Sequence, residues 1–258
     1  MAEIAIRNIV KTFTDRARGR EVMALDNVSL NIGDHDFVCL LGPSGCGKST
    51  LLNMIAGFEG PSSGRVEVGG SLVTRPGADR GVVFQQPTLM PWLNVADNVA
   101  FHLKLRGVRR AERRERAQHF IDLVGLNGFE GHYPSELSGG MNQRVGIARV
   151  LLMNPRVILM DEPFAALDAQ TKLDMQEELV AIWQRIRCTI VFVTHSVDEA
   201  LVLGNKIAVM TRRPGRIRDY FDFDMPRPRD ITSPEFNDAK RRVLGLIREE
   251  AGTSRKAA

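Results

Sequence analysis

"GPSGCGKST", residues 42–50, decides how this chain folds. It satisfies G-x-x-x-x-G-K-[ST]. The apolar run "FVCLL" (37–41) leads into it, and "LLNMIAG" (51–57) follows as a helix ending at Gly57. A buried strand that feeds a glycine-rich turn into a helix start is the setting in which this motif cradles phosphate. The glycines let backbone N–H groups turn inward around an anion, and the helix N-terminus adds partial positive charge. Lys48 reaches the β- and γ-phosphates, and the Ser49 hydroxyl ligates Mg²⁺. Gly42, Pro43, Ser44, Gly45, Cys46, Gly47, Lys48, Ser49 and Thr50 are therefore candidate nucleotide-binding residues. Cys46 serves through its backbone N–H, and its thiol, lying among these groups, is a candidate for reactivity.

A phosphate site needs a carboxylate on its metal side, and "VILMDEP" (157–163) supplies one. Its four apolar residues read as a buried strand ending in Asp161 and Glu162 at the carboxyl edge, where open α/β sheets place ligands. Asp161 suits Mg²⁺ through a water, and Glu162 is placed to orient or deprotonate the attacking water. The plain alternative is an ordinary acidic pair in a strand-to-turn junction. "TIVFVTH" (189–195) ends another apolar strand in His195, a candidate γ-phosphate contact at the same edge. Gln85, after "GVVF", is polar at a strand end and within reach of the metal.

The rest of the chain fits an α/β protein. With 258 residues and 43% hydrophobic composition it can bury one substantial core, with room for an inserted subdomain. "EIAIRNIVKTF", "MALDNVSLNI", "GRVEV", "GVVFQ", "KIAVM" and "RIRDYF" read as further strands, and Asn94 to Met153 is almost wholly helical. A helix starts at "SPE" (233–235) with Phe236, Val243, Leu244 and Ile247 as its apolar stripe, packing on its own core; the last few residues fray. No apolar run approaches the roughly 18–20 residues that cross a bilayer, and no secretory leader is evident. Cys39, Cys46 and Cys188 match neither a disulfide framework nor a metal site, and Cys39 and Cys188 read as small core residues. The net charge of +4 suits an acidic partner without choosing one. The run "KLRGVRRAERRER" (104–116) lacks the interleaved aromatics that nucleic acid would want. It reads as a solvated helix face, with attraction to anionic lipid as the second reading.

A second glycine motif sits in "PSELSGGMNQRVGIARV" (134–150). Taken in order, "GPSGCGKST", "VVFQQ", "LSGGMNQRV", "VILMDEP", "AALD" and "VTH" resemble the ATP-binding cassette (ABC) family from about Ile4 to Phe223. The resemblance implies a RecA-like P-loop NTPase core with an antiparallel β subdomain and an inserted α-helical subdomain. The expected ATPase domain is 1–225, with core segments 1–87 and 154–225 and a helical insertion of about 88–153; a helical extension follows at 226–258. In that family two subunits face head to tail with two ATPs between them. Ser138, Gly139 and Gly140 are then expected on the γ-phosphate of the ATP held by the partner copy, Asp168 at the same interface, and Phe13 stacked on adenine. A core Phe is the alternative for Phe13. Family members often carry Gln where this chain has Met141, which removes a side-chain donor and leaves the three residues before it unchanged.

The resemblance implies ATP and Mg²⁺ as cofactors and an ATPase coupled to transport. The expected partners are a second copy, transmembrane permease subunits and, indirectly, a solute-binding protein, with no nucleic acid. The expected place is peripheral, on the cytoplasmic face of the inner membrane. Leu89, Met90, Trp92 and Leu93 then line a groove for a permease helix; otherwise they simply pack the insertion. "FQQPTLMPWLNVADNV", "DEPFAALD" and "RRPGRIRDYFDFDMPRPRD" resemble the nitrate, sulfonate and taurine importer branch. A soluble non-transport cassette acting on nucleic acid or ribosomes is the alternative, and no tail large enough for a regulatory domain follows Arg229.

Overall fold

The computed structural model describes residues 2–15, 19–165 and 167–253. Residues 16–18, Ala166 of "AALD" and the final residues 254–258, expected to fray, lie outside the described residues. The chain divides into two compact units, Met1–Gly77 with Cys188–Ala258, and Ala78–Arg187.

The first unit opens with β1 (Ile4–Asp15), β2 (Arg20–Ile32), β3 (Phe37–Leu41), α1 (Lys48–Ala56), β4 (Ser63–Val68) and β5 (Ser71–Leu72). The second supplies β6 (Arg80–Val83), α2 (Val95–Val99), α3 (Phe101–Leu105), α4 (Arg110–Leu123), α5 (Gly139–Leu152), β7 (Val157–Asp161) and α6 (Ala169–Ile186). The first unit then resumes with β8 (Thr189–Thr194), α7 (Val197–Leu203), β9 (Lys206–Met210), β10 (Ile217–Asp222) and α8 (Pro234–Thr253).

Two kinds of strand pattern build the first unit. β2 alternates exposed and buried residues from Asn27 to Ile32 and, with β1, β4 and β5, forms an antiparallel sheet in the order β2-β1-β4-β5. β3 is different: all five of its residues are buried, as a parallel strand covered on both faces requires. It pairs in parallel with β8 on one side and β9 on the other, and β10 closes antiparallel on β9. α8 packs on α7 and β9. Phe236 and Val243 of its stripe are fully buried, while Leu244 and Ile247 are half-buried. Each buried side chain contributes about 1.5–3 kcal/mol, and Lys240 adds a 2.7 Å ion pair to Asp198 on α7. Arg229 satisfies the carbonyl end of α7, donating to Leu201 O at 2.6 Å and Gly204 O at 2.5 Å. Burial pushes its pKa down to about 10.

In the second unit β6 and β7 run parallel, with Arg80 opposite Val157 and Val83 opposite Met160. α5 packs against α2, α4 and β6. The helical stretch from Asn94 opens with two short helices, because Ala100 leaves helical geometry at φ −78°, ψ 2°.

Candidate functional site

In the first unit, β3 ends at Leu41 opposite Thr194 of β8. The parallel register therefore brings the 42–47 loop and His195 out at the same carboxyl edge. Gly45 and Gly47 turn the loop with φ of +76° and +103°. A Cβ on Gly47 would lie 2.6 Å from Leu25 Cδ2 and 3.1 Å from the Ala24 carbonyl, so the loop is packed too tightly against β2 for any other residue. Gly47 is the N-cap of α1 and brings no side chain to its N–H groups, and the first turn, Lys48, Ser49 and Thr50, holds no carboxylate. The helix start thus keeps its positive character. Lys48 is only 4% exposed, and its ammonium donates to Gly42 O at 2.7 Å and Pro43 O at 3.0 Å. A buried cation held by loop carbonyls, beside a helix N-terminus, is a donor set suited to a polyphosphate. Ser44, Gly45 and Ser49 are exposed.

Cys46 corrects one expectation. Its side chain is 1% exposed, and burial raises its thiol pKa despite Lys48 Nζ at 4.0 Å. A thiol so shielded stays protonated and is not a reactive group. Burial likewise pushes the Cys188 thiol up to about 11 and that of Cys39 further still, in keeping with core residues.

His195 is exposed at the end of β8, and its flanks are pinned. Thr194 Oγ1 donates to the Glu199 carboxylate and accepts from Ser196 N at 2.9 Å. Ser196 Oγ in turn caps α7 by accepting from Glu199 N at 3.3 Å. Glu199 and Thr194 were missed in the sequence. The S-x-x-E spacing of "SVDE" marks the cap, but nothing local shows that the carboxylate turns back to Thr194. Phe13 lies on β1, 41% exposed, with Lys11 Nζ 4.8 Å from its ring centre, which sets it apart from a core Phe.

In the second unit the β6–β7 register brings Gln85 out at the same edge as Asp161 and Glu162. Glu162 has φ +44°, a left-handed conformation that non-glycine residues adopt sparingly; such strain is common where a side chain must be aimed. Ser138 caps α5, its Oγ accepting from Met141 N at 3.3 Å. Met141 thus enters through its N–H, which any residue but proline supplies. Ser138 and Gly139 are exposed and a Cβ on Gly139 would meet nothing within 4 Å, so the start of α5 is open to an anion. Gly140 is buried, and a Cβ there would lie 2.7 Å from Thr171 of α6. Asp168 caps α6, accepting from Thr171 N at 3.0 Å and Thr171 Oγ1 at 2.6 Å. These bonds hold its carboxyl below the usual range.

Two side chains of α5 grip the segment after β6. Gln143 is 2% exposed and donates to Phe84 O at 3.2 Å; Arg149 donates to Pro87 O at 3.0 Å and Thr88 O at 3.1 Å. A groove of 390 Å³ runs between residues 85–89, Gly139 and Pro163. Beyond it, fully buried Asn98 fixes the turn 90–94: its amide donates to Met90 O, Leu93 O and Asn94 O and accepts from Met90 N. That turn holds Trp92 73% exposed, with Leu89, Met90 and Leu93 half-buried. Among the described residues no cluster of His, Cys, Asp and Glu could hold a metal by itself.

Comparison with known proteins agrees with this arrangement. The family model for ABC transporters matches residues 25–165. The chain is 52% identical to the taurine import ATP-binding protein TauB of Rhizobium johnstonii, over 89% of this chain and 90% of that protein. It is 48% identical to the nitrate import ATP-binding protein NrtD of Synechocystis sp., over 88% and 89%. Among solved structures, the ATP-binding cassette MJ0796, dimeric in a post-hydrolysis state with ADP and Pi, superposes with a TM-score of 0.75 at 34% identity, covering 85% of this chain and 98% of that one. The chain belongs to the ABC transporter family, and its fold is that of the ABC ATPase cassette.

Proposed function

We propose that this chain is the ATP-hydrolysing subunit of a multi-subunit importer of a small solute, in the class that includes taurine, nitrate and sulfonate uptake. The observation that carries this reading is the near-full-length identity to import ATP-binding proteins in a chain that also offers a Lys48-bearing phosphate cradle. Among the described residues no helix is long and apolar enough to cross a membrane, so the solute path belongs to separate permease subunits. The chain sits on the cytoplasmic face, held by them. Trp92 and the groove along residues 85–89 are the docking face, which an exposed aromatic beside a shaped groove favours.

Two copies act together. Phe13 stacks on adenine, and the 42–50 loop takes the phosphates of one copy's ATP. The Ser138 hydroxyl and the exposed N–H groups at the start of α5 take the γ-phosphate of the other copy's ATP. Asp168, at the same interface, links the two sites. Ser49, Gln85 and Asp161 offer hydroxyl, amide and carboxylate oxygens, the hard donors that Mg²⁺ accepts beside phosphate oxygens and water. When bound, the metal neutralises charge on the phosphates. Glu162 takes a proton from the attacking water, and His195 donates to the γ-phosphate oxygens as negative charge gathers there. Closing around two ATPs and opening after phosphate release drive the permease between its two facings.

Co-expression with candidate permease subunits from the same organism tests the reading. The expected result is a stable membrane complex whose ATPase rises with the solute and its binding protein. ATPase stimulated by RNA, with no complex, overturns it.

A further inference from the structure

We propose that the turn formed by residues 211–216 is a positioning element of the phosphate loop, acting through Arg213 and Gly215. This rests on the nucleotide-binding reading above. The turn is stiff: Thr211 N donates to Arg216 O at 3.0 Å, and Thr211 Oγ1 accepts from Arg216 N at 2.9 Å. It is bound to β2 on one side, where Gly215 N donates to Ala24 O at 2.9 Å, Asp26 N donates to Gly215 O at 3.0 Å, and Arg216 pairs with Asp26. On the other side it meets two successive carbonyls of the phosphate loop. Arg213 Nε donates to Gly45 O at 3.2 Å. Gly215 is buried so tightly on Cys46 that a Cβ would lie 2.0 Å from the Cys46 carbonyl oxygen.

The geometry of a trans peptide turns this contact into a function. C=O and N–H of one peptide point in opposite directions. With the Cys46 carbonyl facing Gly215, the Gly47 N–H of the same peptide faces away from the turn. The Gly45–Cys46 peptide is held at both ends, by Arg213 at its carbonyl and by Pro43 O, which accepts from Cys46 N at 3.3 Å. β2 closes the support, since Ala24 and Leu25 also abut Gly47. The turn therefore sets the direction of loop N–H groups before any nucleotide arrives, and this preorganisation appears as affinity.

The test is nucleotide binding to the full-length chain by calorimetry, beside melting of the nucleotide-free chain. Arg213→Ala is expected to weaken ATP and ADP alike by about fivefold, which is about 1 kcal/mol at 1.4 kcal/mol per tenfold. The ATP KM should rise to match, with kcat at saturation within about twofold. Because Arg213 is exposed, its melting temperature should stay within about 2 °C of the parent. Arg213→Lys restores a donor and should recover affinity to within about twofold. Gly215→Ala, if it folds, should lose more than tenfold. Lys48→Ala serves as control for the underlying reading. If Lys48→Ala abolishes binding while Arg213→Ala binds like the parent, the positioning role is wrong and the nucleotide site stands. If Lys48→Ala itself binds ATP like the parent, the nucleotide reading fails with it. A fall in melting temperature with unchanged affinity also overturns the proposal, since it marks a purely structural role.

Discussion

Replacing Gln143 by Leu should separate hydrolysis from its control. Gln143 is the buried residue of α5 whose amide reaches Phe84 O at 3.2 Å, one residue before Gln85. Leu keeps roughly the same volume and removes the donor. The Phe84 carbonyl then loses this donor, and because residue 84 is exposed water can take its place. The cost should therefore be about 1 kcal/mol, the net worth of an ordinary hydrogen bond. In a chain of this size that lowers the melting temperature by about 2–4 °C. The larger effect is expected in coupling. Arg149 still holds Pro87 and Thr88, so the segment stays attached to α5 at its far end while Gln85 loses its anchor. ATPase of the chain alone should remain within about threefold of the parent, and stimulation by the permease complex should drop by about tenfold, the effect of 1.4 kcal/mol. Differential scanning fluorimetry and a phosphate-release assay with and without the permease measure both. Full stimulation together with a lowered melting temperature would refute a coupling role for this bond.

Glu162→Gln should bind ATP as the parent does, lose at least about 100-fold in hydrolysis, and accumulate as a dimer on size exclusion in MgATP. Hydrolysis at the parental rate would remove Glu162 as the base. Phe13→Ala should weaken ATP binding by about tenfold, while Phe13→Trp keeps it, since a stacked base contributes about 1–3 kcal/mol; equal binding of ATP and inorganic triphosphate by the parent would argue against stacking. Alkylation reads the cysteines. Burial raises the Cys46 and Cys188 thiols above the ordinary value, so thiolate appears only at a pH higher than for a free cysteine. At pH 8 iodoacetamide should modify the native chain slowly and the denatured chain fully; rapid native modification at Cys46 would contradict its burial.

Legibility in the sequence followed how far apart the cooperating residues lie. The phosphate loop is nine consecutive residues after a strand that is apolar at every position, so residue order alone carries it. Asp161, Glu162 and His195 were legible for the same reason, as polar ends of apolar strands. What connects the pieces was not. Gln143 meets a carbonyl 59 residues away and Arg213 one 168 residues away, and neither pairing leaves a local pattern. Chain folding also decided which apolar residues are exposed. Trp92 stands out because buried Asn98 spends its amide on the turn beneath it. Leu105 is 72% exposed at the end of a helix whose core-facing residue is Leu103. Met141 is the reverse case, a departure from the family's usual residue that the structure makes inconsequential for capping, because its backbone does the work.

The proposed sharing of each ATP site between two copies is open to a mixing experiment. Chains carrying Lys48→Ala and chains carrying Ser138→Arg are combined, both in a Glu162→Gln background, and ATP retained by the dimer is counted. A mixed dimer has one site with both defects and one with neither, because the intact cradle of one copy faces the intact Ser138–Gly140 segment of the other. The expected result is about one retained ATP per mixed dimer, and none with either chain alone. If the mixture retains no more ATP than its parts, the cradle and the glycine-led helix do not complete each other across two copies.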